Sequence, residues 1–230
     1  MGRRAAFFDV DGTLTTRPTL FAFLVEHLVA HGRSPADAGA EVERLRGMSR
    51  AGVARQDVLR ACTRHFAGTR EGAASAAAAR WYGAEVAAGG FYREEVVAAL
   101  RRHRAAGDLV VLVSGSFPAC LDPVAAEVGA DVLLCSRPRV RDGRYTGELP
   151  TPLIGASKVE AVRALVTGHD LDLSRCAAYG DHVSDIPLLA AVGRPVVVGD
   201  DPGLTAHARR HGWSTSTPVP ASTPEPTGRQ

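Results

Sequence analysis

The chain has 230 residues, of which 45% are hydrophobic and 23% charged, with a formal net charge of +2. These values describe an ordinary globular protein with one sizeable core, or one core plus a smaller inserted domain. They give no reason to expect nucleic acid or an anionic membrane as a partner, and no apolar stretch approaches the roughly 20 residues that a bilayer-spanning helix needs.

The N-terminal MGRRAAFFDV superficially resembles the head of a signal peptide, but its apolar run meets Asp9 and Asp11 almost at once, too soon for a signal core. AAFFD (5–9) reads as a buried strand. From Pro18 to about Gly90 the patterns are helical. TLFAFLVEHLVAHG, SPADAGAEVERLRGM and SRAGVARQDVLRACTRHFAG carry apolar residues at helical spacing, with Ser34 and Ser49 suited to N-caps and Pro35 to a first turn. The Ala-rich EGAASAAAARWYGAEVAAGG and then FYREEVVAALRRHRAAG continue as helices, the latter ending at Gly107.

The pattern then changes. LVVLVSGS (109–116) is a continuous apolar run, the mark of a strand covered on both faces. A helix at 118–128, the strand DVLLC (131–135) and a hairpin around Asp142-Gly143 follow. SKVEAVRALVTGH reads as a helix, CAAYGD (176–181) as a strand, IPLLAAVG as a short helix, PVVVGD (195–200) as a strand and LTAHARRHG as a final helix. Strands alternating with helices predict an α/β fold, a parallel sheet covered on both faces, interrupted by an all-helical insertion. Residues 1–17 and 91–213 would form the core and 18–90 the insertion. The Ser/Thr/Pro-rich 214–230 would form a disordered tail.

Two residue classes bear on chemistry. Cys62, Cys120, Cys135 and Cys176 show no ligand spacing and read as free thiols of a reducing cytoplasm. Of the 27 Lys and Arg residues, 26 are Arg and one is Lys158. Position 158 is therefore either chance or a place that needs a compact ammonium on a flexible stem.

In an open parallel sheet, ligands bind beyond the carboxyl ends of the strands. Polar residues fall at such ends or just past them: Asp9 and Asp11, Ser114, Lys158 at a helix start, and Asp181 with Asp185. Each has a plain structural role open to it. Asp11-Gly12 can be a turn, Ser114 or Asp185 can cap a following helix, and Lys158 can sit solvated on a helix. Brought together, four carboxylates with one ammonium would need a further cation, since two unit charges about 4 Å apart interact by roughly 4 kcal/mol at an effective dielectric of 20. An all-oxygen donor set suits a hard ion, Mg²⁺ first.

DVDGT, the Ser of VLVSGS, the Lys of GASK and GDHVSD, in that order, resemble the four motifs of the haloacid dehalogenase-like (HAD) hydrolases. The helical block after the first motif, the hairpin RVRDGRYTGEL and the run SDIPLLAAVGRPVVVGDDPGL resemble the phosphoserine phosphatase-like branch. The resemblance implies a Rossmann-like core with a helical cap. It implies Asp9 as nucleophile, forming an aspartyl-phosphate, and Asp11 as the group that protonates the leaving oxygen and then activates water. Ser114, Gly115, Gly12 and Lys158 would hold the phosphoryl oxygens. Mg²⁺ would lie on Asp9, the Asp11 carbonyl and Asp181, with Asp185 beside it.

The implied partner is a small phosphorylated metabolite, acted on by a cytoplasmic monomer or homodimer. The chain departs from phosphoserine phosphatases at Gly12 and Ser184, and Pro18 and Thr19 stand near the place of the cap glutamate that reads the phosphoserine amine. Another phosphate monoester, such as a sugar or polyol phosphate, is therefore expected, with His182, Ser184, Arg44, Arg50 and Arg55 as candidate substrate contacts. Three alternatives remain: a phosphoserine phosphatase proper, a phosphotransferase, or a regulator with this fold and no catalysis.

Overall fold

The strand AAFF, β1 (Ala5–Phe8), is buried along its whole length, and its side chains divide between two cores. Ala6 and Phe8 point to one face of the sheet and Ala5 and Phe7 to the other, as the two-residue period of a strand requires. The structure is a computed structural model that describes residues 2–216.

Six parallel strands follow the order β3-β2-β1-β6-β7-β8. They are β1, β2 (Leu109–Ser114), β3 (Val132–Cys135), β6 (Ala177–Gly180), β7 (Arg194–Val198) and β8 (Ser214–Ser216). The short antiparallel pair β4 (Val140–Arg141) and β5 (Arg144–Tyr145) forms the expected hairpin, with Asp142 and Gly143 both at positive φ. Helices α5 (Glu94–Ala105) and α6 (Pro118–Val128) cover one face. Helices α7 (Ala156–His169), α8 (Ile186–Leu189) and α9 (Pro202–His211) cover the other. The chain winds outward from β1 in one direction through β2 and β3, and in the other from β6. The switch point between β1 and β6 is therefore where a ligand crevice opens.

Four helices lie between β1 and α5: α1 (Thr19–Ala30), α2 (Pro35–Arg50), α3 (Arg55–Thr63) and α4 (Glu71–Ala88). Ser34 caps α2 as expected, its hydroxyl accepting from the Asp37 N–H at 3.1 Å. Ser49 caps nothing: α2 runs through it to Arg50, and the chain turns at Gly52 (φ +83°) before α3 begins at Arg55. Likewise α5 starts at Glu94 rather than Phe91, because residues 91–93 are used in crossing back from the insertion. Thr15 bridges Tyr92 antiparallel and the Thr16 N–H donates to the Phe91 carbonyl, so the outgoing and returning segments run side by side. Ser214–Ser216 add a sixth strand to the sheet, which corrects the expectation that the tail begins there. The rest of the expected tail, 217–230, lies outside the described residues.

The helical insertion and the sheet share one apolar cluster, in which Phe23, Phe66 and Trp81 join Phe8, Leu112 and Phe117. His27 is buried within it, with its ring 4.3 Å from that of Phe66 and 4.2 Å from that of His31. Its Nε2 faces the His65 carbonyl at 3.2 Å and so carries the proton of the neutral ring. Burial, and then the neighbouring His31, push the His27 pKa from 6.5 down to about 4. The unfolded chain therefore binds this proton at a higher pH than the folded one, and stability falls as the pH drops through that interval. Urea unfolding followed from about pH 7 to about pH 4 should show this decline, and His27→Gln should flatten it.

Candidate active site

Asp9 follows β1 directly, and its N–H donates to the Tyr179 carbonyl at 3.0 Å, extending the β1–β6 ladder by one step. That places Asp9 beside Gly180 and Asp181 at the end of β6. Lys158, on the first turn of α7, reaches the same point. Its Nζ lies 2.5 Å from Asp9 Oδ1 and 2.7 Å from Asp185 Oδ1. Lys158 is 3% exposed, which rejects a solvated role for it. Asp185 does not cap α8: its other oxygen accepts from the His182 N–H at 3.3 Å. Nor does Ser114 cap α6, since its hydroxyl accepts from the Ser116 N–H and donates to Asp11 Oδ2, both at 3.0 Å. The plain roles open to Lys158 and Ser114 are thus not the ones taken, whereas Asp11-Gly12 does form a turn, with the Thr13 N–H donating to the Val10 carbonyl at 3.3 Å, and Asp185 helps cap the short 3₁₀ turn Val183–Asp185.

Two glycines let the acids come this close. Gly12 has φ +92°, and a Cβ there would run into the Asp181 carboxylate. A Cβ on Gly180 would lie 2.7 Å from that of Asp185. The structure corrects one expectation at Gly12: its N–H is taken by the Thr15 carbonyl at 3.0 Å and is not free for a phosphoryl oxygen. Its own carbonyl accepts from Arg93 Nε at 2.8 Å.

Asp9, Asp181 and Asp185 each bring one carboxylate oxygen within 4.8 Å of the others. Burial, opposed by Lys158 but reinforced by the other acids, holds the Asp9 pKa well above the usual carboxylate range. Burial and Asp185 raise that of Asp181, against a 2.8 Å hydrogen bond from the Thr13 hydroxyl. Burial works against the Lys158 ammonium as well, but Asp185 and Asp9 overcome it and raise its pKa. One ammonium among three close carboxylates leaves negative charge uncompensated, and the donors are all oxygen. This set fits a hard divalent cation. The Asp11 side chain lies apart from the three, turned toward Thr19, Ser114 and Ser116, so any part it takes in holding metal falls to its backbone carbonyl.

A cavity of about 530 Å³ opens over this cluster. The sheet side contributes Asp9, Asp11, Gly115, Lys158, Asp181 and Asp185, and α1, α2 and α3 close it from above. Arg50, Arg55, His182 and Ser184 line it. Arg55 Nη1 reaches across to Ser184 Oγ at 3.4 Å. Burial and the nearby Arg55 lower the His182 pKa, and His182 Nδ1 is occupied by the Ser184 N–H at 3.0 Å. Arg44 is absent from the lining. Its guanidinium is held by Glu41 at 2.7 and 2.9 Å on the outer surface of α2. Arg46 lines the cavity instead, beside Phe21.

The sequence reading missed Thr13, Thr19, Ser116 and Arg93. Thr13 and Ser116 sit within DVDGT and VLVSGS and Thr19 six residues beyond the first of these, but a hydroxyl there carries no signal of its own, and Arg93 is hidden among many arginines. The four cysteines are free and buried, and none belongs to the acidic cluster.

The chain belongs to the haloacid dehalogenase-like hydrolase family, whose model matches residues 6–190. It is 31% identical over 204 residues to a phosphoserine phosphatase of Halobacterium salinarum, covering 87% of this chain and 88% of that protein. It is 40% identical over 115 residues to the "Inhibition of morphological differentiation protein" of Streptomyces azureus, where the match spans 50% of this chain and only 42% of that protein. A protein of unknown function from Bordetella pertussis Tohama I has the same fold, with a TM-score of 0.85 and 28% identity over 95% of this chain and 100% of that one. Among the described residues, no helix is long and apolar enough to cross a membrane.

If the acidic triad holds a divalent cation, millimolar MgCl₂ should raise the thermal midpoint of the protein, because a ligand bound only to the folded state stabilises it by mass action. Asp181→Asn should diminish the shift. An equal shift in wild type and variant would place the ion elsewhere.

Proposed function

We propose that this chain is a Mg²⁺-dependent phosphatase that hydrolyses a small-molecule phosphate monoester through an aspartyl-phosphate on Asp9, with residues 18–90 acting as a cap over the core. The observation that carries the reading is the contact of Lys158 with Asp9 at the cavity floor, with Asp11 and Gly115 beside it. The bound cation would supply charge neutralisation for the phosphoryl oxygens and would be held by Asp9, Asp181, the Asp11 carbonyl and, through its neighbours, Asp185.

In the first step a carboxylate oxygen of Asp9 forms a bond to phosphorus as the bond to the ester oxygen breaks. Asp11 passes a proton to that oxygen, so the alcohol leaves neutral. Lys158 orients Asp9 and offsets the charge of the phosphoryl group, and Ser114 and the Gly115 N–H hold its oxygens. In the second step Asp11 takes a proton from water as the water oxygen bonds to phosphorus and the acyl-phosphate bond breaks. Inorganic phosphate and the Asp9 carboxylate result.

The cap side of the cavity favours a substrate other than phosphoserine. Its lining carries Arg46, Arg50 and Arg55 together with Phe21, Leu20 and Val58, and, among the described residues, no carboxylate to receive an ammonium. A phosphate ester bearing hydroxyls or a second anion suits that wall, which makes a sugar, polyol or acidic metabolite phosphate the favoured class. The Halobacterium relative's name supports phosphoserine as a second reading. The name of the Streptomyces relative supports a regulatory role, against which stands the intact set of Asp9, Asp11, Ser114, Lys158 and Asp181.

Phosphate release from a panel of phosphorylated metabolites, measured with Mg²⁺ and with EDTA, tests the proposal. Asp9→Asn should abolish release while keeping the fold, and substantial residual turnover would reject the nucleophile. Release from no compound by the wild-type protein would favour the regulator. Lys158→Arg should lower kcat by about a hundredfold, as removal of one donor to developing charge commonly does, because a planar guanidinium does not fit between Asp9 and Asp185. A wild-type rate would show that the lone lysine is chance.

A further inference from the structure

We infer that Thr19 and Ser116 are positioning residues that hold the Asp11 carboxylate for proton transfer to the leaving oxygen, a role that rests on the proposed part of Asp11 in phosphate-ester hydrolysis. Four donors converge on this one side chain. Oδ1 accepts from the Thr19 N–H and the Thr19 hydroxyl, both at 2.6 Å. Oδ2 accepts from the Ser116 hydroxyl at 2.7 Å and the Ser114 hydroxyl at 3.0 Å. Thr19 and Ser116 are buried, 0% and 3% exposed, so these bonds do not compete with bulk water.

The donors differ in how long they remain available. A hydroxyl has one proton to donate. When Ser114 turns its proton to a phosphoryl oxygen it must release Asp11, and Ser116 is then the hydroxyl left on Oδ2. The Thr19 bonds come from a different element. Thr19 opens α1, the preceding Pro18 offers no side-chain cap, and the Asp11 carboxylate takes the place of one at the positive end of the helix. Asp11 is thus gripped from the core by Ser116 and from the first turn of the cap by Thr19.

Hydroxyls suit a group that must be both base and acid within one cycle. They donate to a carboxylate and accept from a carboxylic acid, which an ammonium or amide N–H cannot do. The Thr19 and Ser116 hydroxyl oxygens also lie 3.1 Å apart. When Asp11 carries a proton, Thr19 can donate to Ser116 instead, and neither group is left buried without a partner.

The test compares two esters of similar size. 4-Nitrophenyl phosphate releases a stable anion that needs no proton, whereas benzyl phosphate must be protonated as it leaves. Thr19→Val, which keeps the backbone donor, and Ser116→Ala should each lower kcat/KM for benzyl phosphate by about tenfold or more, with that for 4-nitrophenyl phosphate little changed. Thr19→Ser and Ser116→Thr retain the hydroxyl and should recover most of the loss. Equal falls on both esters in the two hydroxyl-deleting variants would mark a general structural effect and overturn the inference, as would no change on either. Asp11→Asn is the control. If it separates the esters and the hydroxyl variants do not, the inference fails and the phosphatase reading stands. If it does not separate them while Asp9→Asn is inactive, the proton-transfer role of Asp11 falls, and the inference with it.

Discussion

A buried ammonium between two carboxylates is the constraint on which the rest of this site depends. Lys158 touches Asp9 at the end of β1 and Asp185 just beyond β6, which joins neighbouring strands of the sheet to the start of α7. Such a pairing adds little net stability, because desolvation of the charges offsets most of the attraction. Its effect is geometric. The lysine sets where α7 begins relative to the strand ends and fixes the orientation of Asp9. It also leaves the site with more negative than positive charge, which suits a hard cation.

That requirement explains the backbone around it. Carboxylates on two separate loops approach only where side-chain bulk is removed, hence Gly12 at positive φ against Asp181 and Gly180 against Asp185. Parallel strands deliver these segments in register. The bond from the Asp9 N–H to the Tyr179 carbonyl is an extra rung beyond the formal strand, and it aligns the two acidic loops. The helices above the cavity are no loose appendage. Their apolar residues continue the cluster on one face of the sheet, and the paired crossings near Thr15 and Tyr92 set the level at which α1 starts. Asp11 sits where these two bodies meet, bonded to both.

Much of this is legible in the sequence. The buried strands announce themselves as continuous apolar runs, the insertion as four stretches of helical character, and the hairpin by Asp142-Gly143. Local signals misled where tertiary contacts took precedence. Ser49 has the chemistry of a helix cap, yet α2 continues through it. Phe91 and Tyr92 fit a helical pattern, yet they pair with the outgoing segment. Ser214–Ser216 read as tail because three small polar residues carry no strand signal, yet they add an edge to the sheet by hydrogen bonding with β7. Arg44 illustrates the same limit within the cap: its type suited an anion, but the turn of α2 points it at Glu41.

By itself the sequence determined the α/β class, the order of the motifs and the identity of the groups able to do chemistry. These follow from side-chain period, turn-forming residues and the type of polar group placed at each strand end, all of which are local properties of the chain. Only the tertiary structure decided which donors surround each acid. Thr19 and Ser116 are 97 positions apart, and Thr13 and Asp181 are 168. Nothing local distinguishes these hydroxyls from any other Ser or Thr. They gain their roles from the winding of the sheet, which places the ends of β1, β2 and β6 side by side and sets the start of α1 above them.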